Sequence, residues 1–162
     1  MELVSERLTA EVFAGFGQVL DGSGSGHRLV NQGRATRCDV ATFPASTGRV
    51  VLARYDLIGS ALPLDISVLE RHPRSDQSFA ALDGASALVV VTDTLLDGSP
   101  HLGHARAFIA GPQTPFLYAA GTWHAPLFAL GGGGAFLMAM HESGTPADCE
   151  TFELRTALRV AR

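Results

Sequence analysis

Short runs of alternating apolar and polar residues, each closed by Gly, Pro, Asn or Asp, dominate the chain. They predict strands over 49–55, 65–71, 105–109, 116–118, 122–124, 127–130 and 135–141. A helical period appears only near the start. There Thr9 can cap a short helix over 10–14 whose Val12, Phe13 and Phe16 form an apolar side, and Gly15 and Gly17 end it. Gln18-Val19-Leu20 reads as a strand, and residues 21–26 as a flexible loop too short to join two domains. Many short strands whose edges must be hidden imply one all-β domain over 1–162, a closed barrel or sandwich with a short N-terminal helix.

The segment from Leu69 to Val91 carries the most detail. Residues two apart on a strand share a face, so Glu70 and His72 point one way and Arg71 the other. Pro73 removes a ladder donor and Ser75-Asp76 is turn chemistry, so the chain is expected to reverse and re-enter the sheet at Gln77, beside the strand it left. The apolar run Phe79-Ala80-Ala81-Leu82 ends at Asp83-Gly84, a hairpin signature, and Ala87 to Val91 follows as a β-branched strand. The expected local topology is a meander. Gly131 to Gly134 supplies a further turn. The strand holding Trp123-His124 reads as a neighbour of the one holding Glu70 and His72, so two imidazoles and two potential ligand oxygens are expected to converge.

Composition narrows the chemistry. The net charge of -4 and the lack of a basic run exclude a phosphate-backbone partner. No apolar stretch approaches the roughly 20 residues that span a bilayer, and the N-terminus has no signal-like core, which places the protein in the cytoplasm. All twelve basic side chains are arginine, so mechanisms built on a lysine Schiff base or a phosphate-loop lysine are excluded. Arginine's planar fork suits a substrate carboxylate. Cys38 and Cys149 lack the paired spacing of a zinc site and read as reduced thiols.

The segment around His72 resembles the first cupin motif in part. Glu70 stands where the first motif histidine would be, His72 fits the second, Gln77 replaces the acid and Gly84 falls at the expected spacing, while Gly121-x-x-His124 resembles the core of the second motif. More specific blocks are Phe13 to Gly17, Asn31-Gln32-Gly33, Leu69-Glu70-Arg71-His72-Pro73, Gln77-x-Phe79, Arg106-Ala107-Phe108-Ile109 and Trp123-His124-x-Pro126-Leu127-Phe128. In this order they resemble the ureidoglycolate lyases, also called ureidoglycolate hydrolases, over most of the chain. The resemblance implies a cupin-like barrel, a homodimer, and conversion of ureidoglycolate to glyoxylate and urea in allantoin degradation. Two departures lie near the presumed pocket: Ala125 where family members commonly carry a histidine, and His141-Glu142-Ser143-Gly144 where they tend to have an Asp-Arg-Gly type sequence.

The residues suit such an elimination. His72 and His124 titrate near neutrality and can take and give protons, each role worth roughly 10²- to 10⁴-fold, with Glu70 as orienter or base. Asn31 and Gln77 offer amide donors to the carboxylate or ureido oxygen, Arg71 is a cation for the carboxylate, and Trp123 a pocket wall. No cofactor is required on this reading. The set His72, Gln77 and His124 leaves room for a loosely bound divalent ion, although glutamine is a poor ligand. The partner is a small carboxylic acid, with no nucleic acid or membrane. Two other readings stay open: a diverged cupin isomerase, epimerase or dioxygenase, and a sensor that binds a small carboxylate without turnover.

Overall fold

The computed structural model describes residues 1–23, 26–44 and 48–162. The loop expected over 21–26 therefore lies partly outside the described residues, at Gly24 and Ser25. Among the described residues the elements run β1 (Glu2–Arg7), α1 (Ala10–Phe13), β2 (Gly17–Val19), β3 (Arg28–Val30), β4 (Ala35–Arg37), β5 (Arg49–Ser60), β6 (Leu64–Arg71) and β7 (Gln77–Ala81). They continue with β8 (Ala87–Thr92), β9 (Arg106–Ala110), β10 (Phe116–Tyr118), β11 (Trp123–His124), β12 (Phe128–Leu130), β13 (Gly133–Glu142) and β14 (Glu150–Ala161). The helix starts where expected, because the Thr9 hydroxyl accepts the Val12 N–H and caps the first turn.

Strand pairing closes the fold into a barrel. β6, β14, β1, β9 and β8 lie side by side, and the two-residue β11 pairs with both β6 and β8, completing a ring without a free edge. A second layer runs β5-β13-β7-β10-β2 and joins the ring through β12, which pairs with β8 on one side and β5 on the other. β3 and β4 form a separate two-stranded ribbon.

This arrangement makes two cores. One lies between the layers and holds Phe13, Phe79, Phe108, Phe116, Tyr118 and Phe136; the other fills the ring with Ile66, Leu69, Trp123, Leu158 and Val160. β8 separates them and is buried on both faces: Val89 and Val91 serve the first core, Leu88 and Val90 the second. A continuous β-branched run is what such a strand requires, since neither face meets water.

The expected meander is not formed. β6 pairs with β14 and β11, whereas β7 pairs with β13 and β10, so the Pro73–Asp76 turn carries the chain from the ring to the second layer and Gln77 does not lie beside Glu70's strand. Asp83-Gly84 likewise joins β7 to β8 across the layers and is no hairpin. Its turn chemistry is real: Gly84 has φ 82°, and the Asp83 carboxylate accepts the N–H groups of Ala85 and Ala135. Turn residues dictate that the chain reverses; which strand it then meets depends on distant partners. No helix among the described residues is long and apolar enough to cross a membrane.

Candidate active site

The site begins with one register. β11 runs antiparallel to β6 with His124 directly opposite Glu70, so side chains some fifty residues apart in sequence become cross-strand neighbours. Alternation along β6 turns Glu70 and the following His72 towards the second layer and sends Arg71 and Leu69 to the ring core. Alternation along β11 does the same for His124 and Trp123. His124 stacks on Tyr118 of β10 at 4.1 Å with an interplanar angle of 13°, and the two imidazole centroids lie 5.4 Å apart. The Nε2 of His124 is 3.6 Å from a Glu70 oxygen. Ligand atoms of Glu70, His72 and His124 all lie within 4.8 Å of one another.

The histidines are fixed in the same way. His72 Nδ1 lies 2.8 Å from the Asp148 carbonyl and His124 Nδ1 lies 2.8 Å from the Thr122 carbonyl. A carbonyl can only accept, so each Nδ1 carries the proton, and when the ring is neutral its Nε2 holds a lone pair. Both Nε2 atoms are buried without a hydrogen-bond partner, as are Gln77 Oε1, Tyr118 Oη and His141 Nδ1. Orphaned polar atoms of this kind are rare in protein interiors, and a bound molecule is the natural way to satisfy them.

The supporting turns are tied to the site. Gly121, at φ 81°, enters β11 through a conformation that L side chains rarely adopt, and its N–H donates to the His72 carbonyl. The Ser75 hydroxyl accepts the His141 N–H, and Asp76 accepts the Ala120 N–H. Asp148 presents its carbonyl from a 3₁₀ turn that its own side chain builds. The hydroxyl and amide of Ser143, with the amides of Gly144 and Thr145, hold its carboxyl down to about 2.

Electrostatics separate the three groups. Burial raises the Glu70 carboxyl, but the His124 imidazole 3.6 Å away and the charge of His72 outweigh it, leaving it below the ordinary carboxylate range. Burial is also the main cause at His72 and lowers it, helped by His124; the Asp148 carbonyl and the charges of Glu70 and Glu142 only partly oppose this. Tyr118, fully buried and near Glu70, is pushed up and stays a neutral hydroxyl.

Of the residues singled out from sequence, Glu70, His72 and His124 come together. Gln77 is buried on β7, paired in register with Tyr118, its amide nitrogen 3.6 Å from Met140 Sδ. Arg71 does not face the triad: its guanidinium lies 4.6 Å over the Trp123 ring and pairs with Glu150 at 2.6 Å. Trp123 faces the ring core and donates from Nε1 to the Gly98 carbonyl. Asn31 sits exposed at the turn of the separate β3–β4 ribbon, at φ 53°. Tyr118 and the Asp148 carbonyl were not foreseen; only the pairing of β10 with β7 and the fold-back of residues 145–149 bring them here. Three surface clefts, one of about 760 Å³ lined by Leu62, Asp83 and Arg162 among others, share no lining residue with the triad.

Comparison with known proteins bears on this geometry. The model of the ureidoglycolate lyase family matches residues 1–161. Ureidoglycolate lyase of Pseudomonas fluorescens (strain SBW25) is 34% identical over 153 residues, 91% of this chain and 89% of that protein. Its counterpart in Mesorhizobium japonicum is 34% identical over 161 residues, 98% and 96% respectively. Among solved structures, a dTDP sugar isomerase from Desulfovibrio desulfuricans G20 is 16% identical, with a TM-score of 0.48 over 87% of this chain and 83% of that one.

Proposed function

The chain belongs to the ureidoglycolate lyase family, and from that premise we propose that it splits ureidoglycolate into glyoxylate and urea at the Glu70–His72–His124 site. The observation that carries the site assignment is the pair of buried Nε2 atoms, neither of them hydrogen-bonded and each ring oriented by a backbone carbonyl on its Nδ1.

Ureidoglycolate is a carbinolamide. Removal of its hydroxyl proton lets the carbon–oxygen bond become a carbonyl while the bond to the ureido nitrogen breaks, and that nitrogen takes a proton as urea departs. His72 is the base: burial keeps it neutral at physiological pH and its lone pair is exposed on Nε2. His124 is the proton donor, its imidazolium supported by the Glu70 carboxylate 3.6 Å away. Gln77 Oε1 can accept a ureido N–H, and the Tyr118 hydroxyl can donate to the carboxylate or the ureido oxygen. The alternatives, a diverged isomerase or a sensor, have no comparable support from the family.

The same donor set fits a divalent ion. Two imidazoles oriented by carbonyls on Nδ1, with a carboxylate, form the arrangement by which proteins prepare metal ligands, and Glu70 is a better third ligand than the Gln77 weighed from sequence. Such an ion would polarise a substrate oxygen. On the proposed mechanism catalysis requires none, and elemental analysis after metal-free purification, with activity measured alongside, tests this.

A reducing cytoplasm suits the two unpaired thiols, Cys38 and Cys149. A homodimer would cover the exposed Val50, Leu52 and Ile58 of β5 and Leu137 of β13, which share one face with the Arg54–Asp56 ion pair. Light scattering on the purified protein checks the dimer. Release of glyoxylate and urea above the spontaneous rate checks the reaction, and no release would remove it.

A further inference from the structure

The chain carries a second cluster of two histidines and an acid, on the segment that links β8 to β9. Asp93, His101 and His104 bring one ligand atom each to within 4.8 Å of one another, at or near the surface. Nothing in the lyase chemistry uses them.

The backbone assembles this cluster. The His101 N–H donates to the Asp93 carbonyl at 2.7 Å, and the Thr92 hydroxyl donates to the His101 carbonyl. Residues 102–104 then form a 3₁₀ turn in which the His104 N–H reaches the His101 carbonyl. Side chains three apart eclipse on such a turn, so the two rings lie with centroids 3.7 Å apart and planes tilted by 42°. Gly103, between them in sequence, lies against His101: a Cβ there would sit 3.6 Å from His101 Nε2, an ordinary van der Waals contact. The Asp93 carboxylate completes the group, 2.9 Å from His104 Nδ1. The segment's outer loop is tied down by Leu95–Ser99 and Leu95–Gly98 backbone bonds and by Trp123 Nε1 on the Gly98 carbonyl.

We propose that Asp93, His101 and His104 form a binding site for one divalent transition-metal ion of the zinc or nickel type. Two imidazoles and one carboxylate select such ions over calcium and magnesium, which take oxygen ligands. Metal–nitrogen bonds of about 2.0–2.1 Å put tetrahedral ligand atoms roughly 3.3 Å apart, so the observed separations need only side-chain rotation to close on an ion. Exposure leaves the remaining positions to water. Because binding staples Asp93 to the 3₁₀ turn on the segment that holds Trp123, the residue before His124, the ion would stiffen one wall of the fold without entering the active site.

The test is calorimetric titration of metal-free protein with Zn²⁺, run on wild type, His101→Ala/His104→Ala, Asp93→Asn and His124→Ala, with circular dichroism checking each fold. The expected result is an equivalent that disappears in the double variant, weakens in Asp93→Asn and persists in His124→Ala, counted separately from any ion held by the buried trio. Zinc should also raise the melting temperature of wild type and not of the double variant, whose metal-free ureidoglycolate turnover should equal that of wild type. If wild type binds no zinc, or if the double variant binds as many equivalents as wild type, the site does not exist. A failure of lyase activity in every sample would leave this outcome readable, since binding is measured directly.

Discussion

Two trios, each of two histidines and an acid, Glu70–His72–His124 and Asp93–His101–His104, bring their ligand atoms within 4.8 Å of one another and differ in almost everything else. The first is made by strand register across the barrel; the second by a single local turn. His124 is 2% exposed, whereas the side chains of His104 and Asp93 are 60% and 51% exposed. In the buried trio both imidazoles donate Nδ1–H to the backbone and keep an unpartnered Nε2, while in the exposed one His104 spends Nδ1 on its own carboxylate. Ligand type alone therefore says little. Burial turns the first trio into a site of shifted protonation and unsatisfied polarity, and exposure leaves water to satisfy the second.

The sharpest separation is expected from His124→Ala and His72→Ala, each of which should lower kcat for glyoxylate release by about 10²- to 10⁴-fold. His104→Ala should leave it unchanged, and equal losses from both trios would erase the distinction. Glu70→Gln keeps the shape but removes the charge facing His124. A loss of about 1.5–3 kcal/mol in transition-state stabilisation, roughly 10- to 150-fold in kcat, is expected from single-turnover kinetics.

Acid should act on the buried trio first. The folded value of His72 lies below its ordinary 6.5, so between those two values the unfolded chain binds more protons than the folded one, and stability falls as pH drops through that window. Glu70, also lowered, adds a further loss as pH falls below its ordinary 4.5 towards its folded value. Urea melts from pH 8 to 4 should show this decline, and His72→Ala should flatten its upper part. The acid limb of kcat/KM should likewise lie below pH 6.5 if neutral His72 is the base. The smallest effect belongs to Asp93→Asn in metal-free protein: an exposed ion pair is worth less than about 1 kcal/mol, so the melting temperature should barely move.

Much of the site could be read from residue order. Thr9, the Glu70-x-His72 alternation and the β-branched run at 87–91 predict their local structures because each depends on neighbours two to four residues away. The opposite orientation of Arg71 followed from the same alternation, and it left Arg71 on Trp123 and Glu150. β14 went unread although Phe152, Leu154, Leu158 and Val160 all fall on one parity; polar residues and a register shift between Glu153 and Leu158 dilute the pattern. The meander failed because Pro73–Asp76 and Asp83-Gly84 specify reversals and not pairing partners.

The sequence by itself determined that strands would form, which side chains of each share a face, and which two histidines and glutamate make a candidate site. Only the tertiary structure decided that His124 lies opposite Glu70, that Tyr118 stacks on it, and that the Asp148 and Thr122 carbonyls hold the two protons on Nδ1. The reason is physical. Local conformation follows from sterics and hydrogen bonding within a few residues, whereas pairing between strands is settled by burying both cores at once, a condition no single segment contains.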